Sequence, residues 1–152
     1  QLLKASYLSR QDVASAFKTT GLSYGDKDHL AGRQHIAGAI FNTNVDLTHP
    51  LTFSLKRNTL PVFKNSTWLL EASGAPFVNV LTYTKNPLLA GFTDAVNVEQ
   101  VAGGAGLIAH SYGRGTVIGM TDDPVFRGYW YGTSRLLSNA LFFGHTFRAN
   151  GE

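Results

Sequence analysis

The sequence predicts an α/β or α+β domain in which a mixed sheet carries a C-terminal β-hairpin and is packed by helices. Two strand-like segments, 106–111 and 116–121, flank a turn whose Gly113 and Gly115 allow the positive φ angles of a tight hairpin. A segment with helical periodicity, 132–143, follows them. The chain has 16 glycines and 12% aromatic residues, and only 15% of it is charged against a usual share of about 25%. This composition favours strands and tight turns over a solvated helical bundle.

The first predicted element is a helix that begins after Ser9. Asp12, three residues later, completes a capping box, and Gly21 supplies a stop signal. Residues 23–33 are polar and contain glycine, so they predict a loop with at most one short turn.

Three strands are predicted between this loop and the hairpin, at 36–45, 60–63 and 77–83. The first ends before His49 and Pro50, because proline cannot donate to a sheet ladder and forces the preceding residue to be extended. The third strand is apolar on both faces, which is typical of a central strand.

The last predicted helix, 132–143, has a two-sided pattern and is stopped by Gly144. We expect its apolar side to pack on a sheet and its polar side to face solvent. The expected packed residues are Leu136, Leu137, Ala140 and Leu141, and the expected solvent-facing residues are Arg135, Ser138 and Asn139.

Length and composition limit the classes of function. A chain of 152 residues predicts a single domain or a domain fragment, with no internal repeat or linker. The net charge of +3 is scattered, and Lys56 and Arg57 are the only adjacent basic pair, which disfavours a nucleic-acid partner. No apolar run approaches the roughly 18 residues of a membrane span. Since the chain opens with Gln1 and its only methionine is Met120, we expect a processed protein or part of a longer one.

Zinc is the first candidate chemistry, because the chain contains five histidines and no cysteine. His29 and His35 lie six residues apart, and a third histidine could join them in space. No histidine belongs to a His-Glu-x-x-His motif or is followed by Glu three residues later. Surface or packed histidines are therefore the favoured interpretation, and no metal is expected.

Ser111 is the one candidate nucleophile. Residues 109–113 resemble a variant of the α/β-hydrolase nucleophile elbow, and Asp122 or Asp123 followed by His145 would complete a triad in the Ser, Asp, His order. An elbow needs a helix directly after the serine, whereas a glycine turn and β-branched residues follow Ser111. A serine hydrolase is thus the alternative function, and the favoured interpretation has no catalytic residue.

Asp122 and Asp123 stand at the end of a predicted strand, where α/β enzymes often place catalytic groups. The favoured interpretation is structural, with an aspartate capping a helix start, Pro124 in its first turn, and Arg127 paired with the other aspartate. The aromatic residues after them are expected in the core or at an interface, with a sugar- or peptide-binding platform as the alternative. These aromatic residues are Phe126, Tyr129, Trp130 and Tyr131.

The C-terminal third carries a longer pattern. Gly-basic-Gly at 113–115 leads to a β-branched strand, then to Asp-x-Pro-x-Phe-Arg at 122–127, an aromatic pair, and Leu-x-x-Asn-Ala-hydrophobic-Phe-Phe at 136–143. Taken together, this resembles the end of the glutamine-amidotransferase-like domain that follows the catalytic domain in bacterial secreted zinc carboxypeptidase-like proteins. Segments 36–41 and 48–53 are similar to that domain as well, so the likeness covers residues 32–144. Residues 1–31, a helical and loop lead-in, carry little of it.

The resemblance implies the latter part of a flavodoxin-like, three-layer domain. It implies that this segment is a non-catalytic accessory, scaffold or binding domain whose parent trims peptides with zinc held in a separate catalytic domain. The expected partners are that catalytic domain and a second copy of this chain, which would bind through an exposed sheet edge. The expected location is secreted or periplasmic. An amidotransferase needs a Cys-His-Glu set, and the chain has no cysteine. The motif residues therefore have an expected structural role: Asp122, Asp123, Pro124, Phe126, Arg127 and Trp130.

Overall fold

The computed structural model describes residues 7–147, which form seven β-strands and four α-helices. The strands are β1 (Tyr7–Leu8), β2 (Ala39–Val45), β3 (Thr59–Lys64), β4 (Leu69–Leu70), β5 (Asn79–Gly91), β6 (Ala105–Tyr112) and β7 (Gly115–Met120). The helices are α1 (Arg10–Ser15), α2 (Lys27–Arg33), α3 (Ala95–Val101) and α4 (Tyr131–Phe143). Short 3₁₀ turns occupy Tyr24–Asp26, Pro50–Thr52 and Phe126–Gly128. Within residues 7–147, no helix has the length and apolar character needed to cross a membrane.

All seven strands belong to one sheet with the order β1-β4-β6-β5-β2-β3, and β7 pairs with β6 beyond β4. Every pairing among residues 7–147 is antiparallel, so the expected mixed sheet is wrong for this part of the chain. The connection after β5 shows why. A parallel neighbour would require the chain to return along the whole of β5, about 43 Å for 13 residues. The seven-residue helix α3 spans only about 10 Å, and β6 enters part-way along β5 in the opposite direction.

The hairpin and the central strand are confirmed. β6 and β7 pair from Leu107 opposite Met120 to Tyr112 opposite Gly115, and Gly113 in the turn has a φ of 57°. β5 lies between β6 and β2, as its two-sided apolar pattern predicted. It is longer than predicted, because its second half continues to Gly91 and pairs with the start of β2.

The predicted N-terminal helix starts where expected. The Asp12 backbone N–H donates to Ser9 Oγ, and the Ser9 backbone N–H donates to the Asp12 carboxylate. The helix ends at Ser15, six residues before the predicted stop. The predicted loop at 23–33 is wrong in its second half, because α2 fills it behind a second capping box made by Ser23 and Asp26.

The main core joins the strands of the sheet to α1 and α4. Its fully buried members come from strands and helices alike. They include Val13, Phe41, Leu51, Val62, Leu81, Leu107 and Leu136. A smaller cluster contains Leu70, Val78, Ala105 and Ile108. Six consecutive residues of β6, 105–110, are buried, so both faces of the sheet are covered at this strand.

α4 is confirmed, but the side it buries is rotated from the predicted one. Thr133, Leu136 and Asn139 are buried, whereas Leu141 is largely exposed. Burial of Asn139 is possible because its Nδ2 donates to the backbone oxygens of Leu51 (2.8 Å) and Phe53 (3.1 Å). The expected solvent-facing position of Asn139 is therefore wrong, since these carbonyl groups supply partners that the helix pattern does not show.

Candidate functional site

A buried polar cluster connects β3 and β5 to the start of the Asp-x-Pro-x-Phe-Arg motif at 122–127. Lys64 is the last residue of β3, Tyr83 lies in the middle of β5, and Asp122 follows β7 by two residues. Lys64 Nζ lies 3.2 Å from Asp122 Oδ1, and the Tyr83 hydroxyl donates to the same oxygen at 2.5 Å. We call Lys64, Tyr83 and Asp122 the Lys-Tyr-Asp cluster.

The local sequence explains how a lysine enters the core. β3 alternates, so that Val62 and Lys64 both point to the packed side. The Lys64 side chain has no exposed surface, and its ammonium group also reaches the backbone oxygens of Trp68 (2.8 Å) and Thr121 (3.2 Å). Nζ thus has three acceptors, which offset the cost of removing the amine from water.

Burial shifts the acid-base properties of the whole cluster. Desolvation lowers the pKa of Lys64 and raises the pKa of Asp122, and the attraction between the two groups opposes both changes. Desolvation also raises the pKa of Tyr83 well above its usual value, and the neighbouring Asp122 adds to this increase. Burial therefore favours the neutral forms of all three side chains.

The expected helix cap is wrong for both aspartates, because the N-caps of the 3₁₀ turn and of α4 are Val125 and Trp130, and neither has a side-chain cap. Asp123 Oδ1 accepts from the Val125 backbone N–H at 3.1 Å, which closes the turn before the 3₁₀ segment. Asp122 caps nothing, because its carboxylate turns inward to Lys64 and Tyr83. Arg127 lies over the Phe126 ring, 5.2 Å from its centre, and makes no ion pair with either aspartate in the described part of the chain.

The aromatic residues of the motif fasten this turn to β3. Phe126 stacks on Phe63 with ring centres 3.7 Å apart, and Trp130 lies 6.5 Å from the same ring. The Pro124 backbone oxygen accepts from Thr133 Oγ1 at 2.7 Å, which ties the turn to α4. Tyr129 and Tyr131 remain exposed beside this stack. Phe126 and Trp130 are thus placed for packing and not for enclosing a ligand.

The residues of the hydrolase alternative are not brought together. Ser111 pairs with Thr116 near the turn of the hairpin, and β7 follows it instead of a helix. Asp122 lies at the opposite end of β6, where its Oδ2 faces Gly106. Five residues of strand, about 17 Å, separate Gly106 from Ser111. His145 is exposed in the turn after α4.

The histidines are also dispersed. His29 is exposed, and His35 Nε2 lies 3.0 Å from an Arg10 nitrogen. His49 is buried, and its Nδ1 accepts from the Leu51 backbone N–H at 3.1 Å. Among residues 7–147, no three His, Asp or Glu side chains converge as metal ligands would. The structure therefore offers no geometric support for zinc at His29 and His35.

Sequence reasoning missed Lys64 and Tyr83. A signal for Lys64 was available, since it continues the alternation of the predicted strand 60–63 at a position that faces the core. Tyr83 belongs to the predicted strand 77–83, whose apolar pattern indicates only a central position in the sheet. Its partner Asp122 is 39 residues away in the chain, and no local pattern links the two.

An exposed apolar surface lies at the C-terminal end of α4. Phe53, Leu141 and Phe142 are 63%, 74% and 73% exposed. Phe53 packs edge-on against Phe143, with ring centres 5.6 Å apart, so the loop after Pro50–Thr52 and the last turn of α4 form one surface. We call these four residues the α4 patch. Exposed apolar patches mark interaction sites in proteins.

The site geometry is thus a closed polar cluster inside the domain and an apolar patch on its surface.

The chain was compared with models of protein families, with curated proteins and with solved structures. None of the three comparisons found a match.

Proposed function

We propose that the chain is a non-catalytic accessory domain that binds, through the α4 patch, the zinc carboxypeptidase-like catalytic domain of an exported protein. The observation that carries this proposal is the patch itself. Phe53, Leu141 and Phe142 are exposed where the last turn of α4 meets the loop after Pro50–Thr52, and Asn139 fixes α4 to that loop. Interfaces within one chain bury surfaces of this type.

The position of the motif residues supports a structural and not a catalytic role. Asp122, one of the two aspartates of the alternative triad, is turned into the domain and bonded to Lys64 and Tyr83. Phe126 is stacked on Phe63. Side chains engaged in this way hold the turn between β7 and α4, and a substrate in solution would not reach them.

The resemblance supplies the identity of the proposed partner and of the wider fold. It places a zinc catalytic domain before this domain and assigns the sheet to the latter part of a flavodoxin-like, three-layer domain. The parallel strands of that domain would then come from chain preceding Gln1. In this proposal the zinc belongs to the catalytic domain, and export gives a secreted or periplasmic location.

The direct test is binding in trans. The reading frame upstream of Gln1 is expected to encode a domain with the His-x-x-Glu zinc motif, and that domain is titrated with this chain by calorimetry. Phe142→Ser in the α4 patch is expected to weaken binding at least tenfold, because it removes a large apolar contact from the centre of an interface. Tyr24→Ser is the matched control, since Tyr24 is an exposed aromatic residue outside the patch, in the turn before α2.

Three results would contradict the proposal. They are an upstream frame without a zinc domain, binding that Phe142→Ser leaves unchanged, and self-association that buries the patch in the presence of the catalytic domain. Hydrolysis of peptides by the isolated chain, lost in a single variant, would contradict its non-catalytic role.

A further inference from the structure

We propose that Lys64 and Asp122 condense into an intramolecular isopeptide bond that links the end of β3 to the segment after β7. The two side chains meet in the interior, with Lys64 Nζ 3.2 Å from Asp122 Oδ1, and Oδ1 is bonded directly to the carbon that the amine would attack. An amine and a carboxyl group held side by side in this way have the advantage of an intramolecular reaction. This inference does not depend on the proposed accessory function.

The surroundings of Nζ orient it for attack. A neutral amine carries two hydrogens and one lone pair, and Lys64 Nζ has three neighbours. Two are backbone oxygens, those of Trp68 at 2.8 Å and Thr121 at 3.2 Å, and both can only accept hydrogen bonds. When the two N–H groups satisfy these acceptors, the lone pair is left towards the third neighbour, the carboxyl group of Asp122.

The surroundings of the carboxyl group distinguish its two oxygens. The Tyr83 hydroxyl donates to Oδ1, so a negative charge that develops on this oxygen during attack is stabilised by a fixed donor. Oδ2 is buried and has no hydrogen-bond partner within residues 7–147. It is therefore the oxygen that can leave. A cavity of about 20 Å³ that Asp122 and Gly106 help to line has room for one water molecule.

The protonation states suit this reaction. In water an amine and a carboxylic acid transfer a proton and become unreactive ions. Here burial lowers the pKa of Lys64 and raises that of Asp122, which favours the free amine and the neutral acid that condensation requires. The amide product is uncharged, so it also avoids the cost of an ion pair in the interior.

The atoms balance without another reactant. The lone pair of Lys64 Nζ forms a bond to Asp122 Cγ, and the tetrahedral intermediate carries its charge on Oδ1 beside the Tyr83 hydroxyl. The bond from Cγ to Oδ2 then breaks. Oδ2 leaves as water with the carboxyl proton and one proton from the amine. The products are one secondary amide and one water molecule, and no group is oxidised or reduced.

Peptide mapping of the folded protein tests the inference. Trypsin cleaves after Arg57, Lys64 and Lys85, and after Arg114 and Arg127. The cross-link would block cleavage at Lys64 and give a branched product that joins residues 58–85 to 115–127. Its mass is expected to be lower than the sum of the two peptides by one water.

Variants distinguish a Lys64–Asp122 cross-link from a loss of water at another position. Asp122→Asn retains a condensable group and is expected to give the same branched product with loss of ammonia, whereas Lys64→Met gives none. Lys56→Met, at an exposed lysine, is the matched control and is expected to keep the cross-link. Tyr83→Phe is expected to slow its appearance after refolding at least tenfold, since the donor to Oδ1 is removed.

The inference is overturned if the folded, aged protein yields free 58–64 and unlinked 115–127 as its main products. It is also overturned if water is lost from 115–127 alone, because cyclisation at Asp122 leaves Lys64 open to trypsin. Equal rates in Tyr83→Phe and the unaltered protein would overturn the part assigned to Tyr83.

Discussion

Asn139→Leu is expected to destabilise the domain although it replaces a polar residue in the interior by an apolar one of similar size. In the folded protein, Asn139 Nδ2 donates to the backbone oxygens of Leu51 at 2.8 Å and Phe53 at 3.1 Å. Leucine cannot donate, so both carbonyl groups lose their partner. The loop that carries Phe53 would also lose its link to α4.

The magnitude follows from the burial of the two bonds. The bond to Leu51 is buried, and an unsatisfied group there costs about 1–3 kcal/mol. The bond to Phe53 is only partly buried, so water can replace some of it. Allowing for the apolar surface that leucine buries, we expect a net loss of about 2 kcal/mol. In a domain of 152 residues this lowers the melting temperature by roughly 4–8 °C.

Urea unfolding followed by circular dichroism measures this difference in the free energy of unfolding. Ser138→Ala is the matched control, since Ser138 is the exposed neighbour of Asn139, and we expect a change within about 0.5 kcal/mol. A stability of Asn139→Leu equal to that of the control, with an unchanged dependence on urea, would refute the assignment of Asn139 as a required donor.

Three further predictions concern charge and the alternative chemistry. The hydrogen bond from Arg33 is the main cause that lowers the pKa of Asp94 below 3.8, so its stabilising effect is present above that pH and is lost as pH falls. The difference in unfolding free energy between the unaltered protein and Asp94→Asn should therefore shrink below about pH 4. A difference that stays constant with pH would contradict this. Burial lowers the pKa of His49 below 6.5, so the stability of the domain should fall as pH drops through that value. The stability of His49→Asn should fall less over the same pH range. Equal losses in the two proteins would contradict the role of His49. A fluorophosphonate should label neither the unaltered chain nor Ser111→Ala, and labelling that needs Ser111 would restore the hydrolase alternative.

The features predicted from the sequence are those whose signals are local. The hairpin depends on a turn with Gly113 and on two adjacent strands, and the start of α1 depends on the capping pair Ser9 and Asp12. The second half of β5 was missed because it pairs with residues far away in the chain, such as Phe41 opposite Leu88. Its pattern contains Lys, Asn and Pro, which argue against a strand.

The candidate site was predicted only in part, for the same reason. Asp122 was singled out, but its function as a buried partner depends on Lys64 and Tyr83, 58 and 39 residues away. Asn139 lies on what a helical pattern identifies as the polar side, and only the carbonyl groups of another segment make its burial possible. Helix α3 was missed although Asp94 caps it by accepting from the Val96 backbone N–H at 3.0 Å.

The central claim is that this domain acts on its partner through the α4 patch and does not catalyse the conversion of a substrate. Hydrogen–deuterium exchange, recorded with and without the zinc domain expected upstream, tests it most directly. We expect protection to increase in the last turn of α4 and in the loop around Phe53, and to stay unchanged in the hairpin turn at Gly113. Protection centred on the hairpin, or no change at saturating partner, would contradict it.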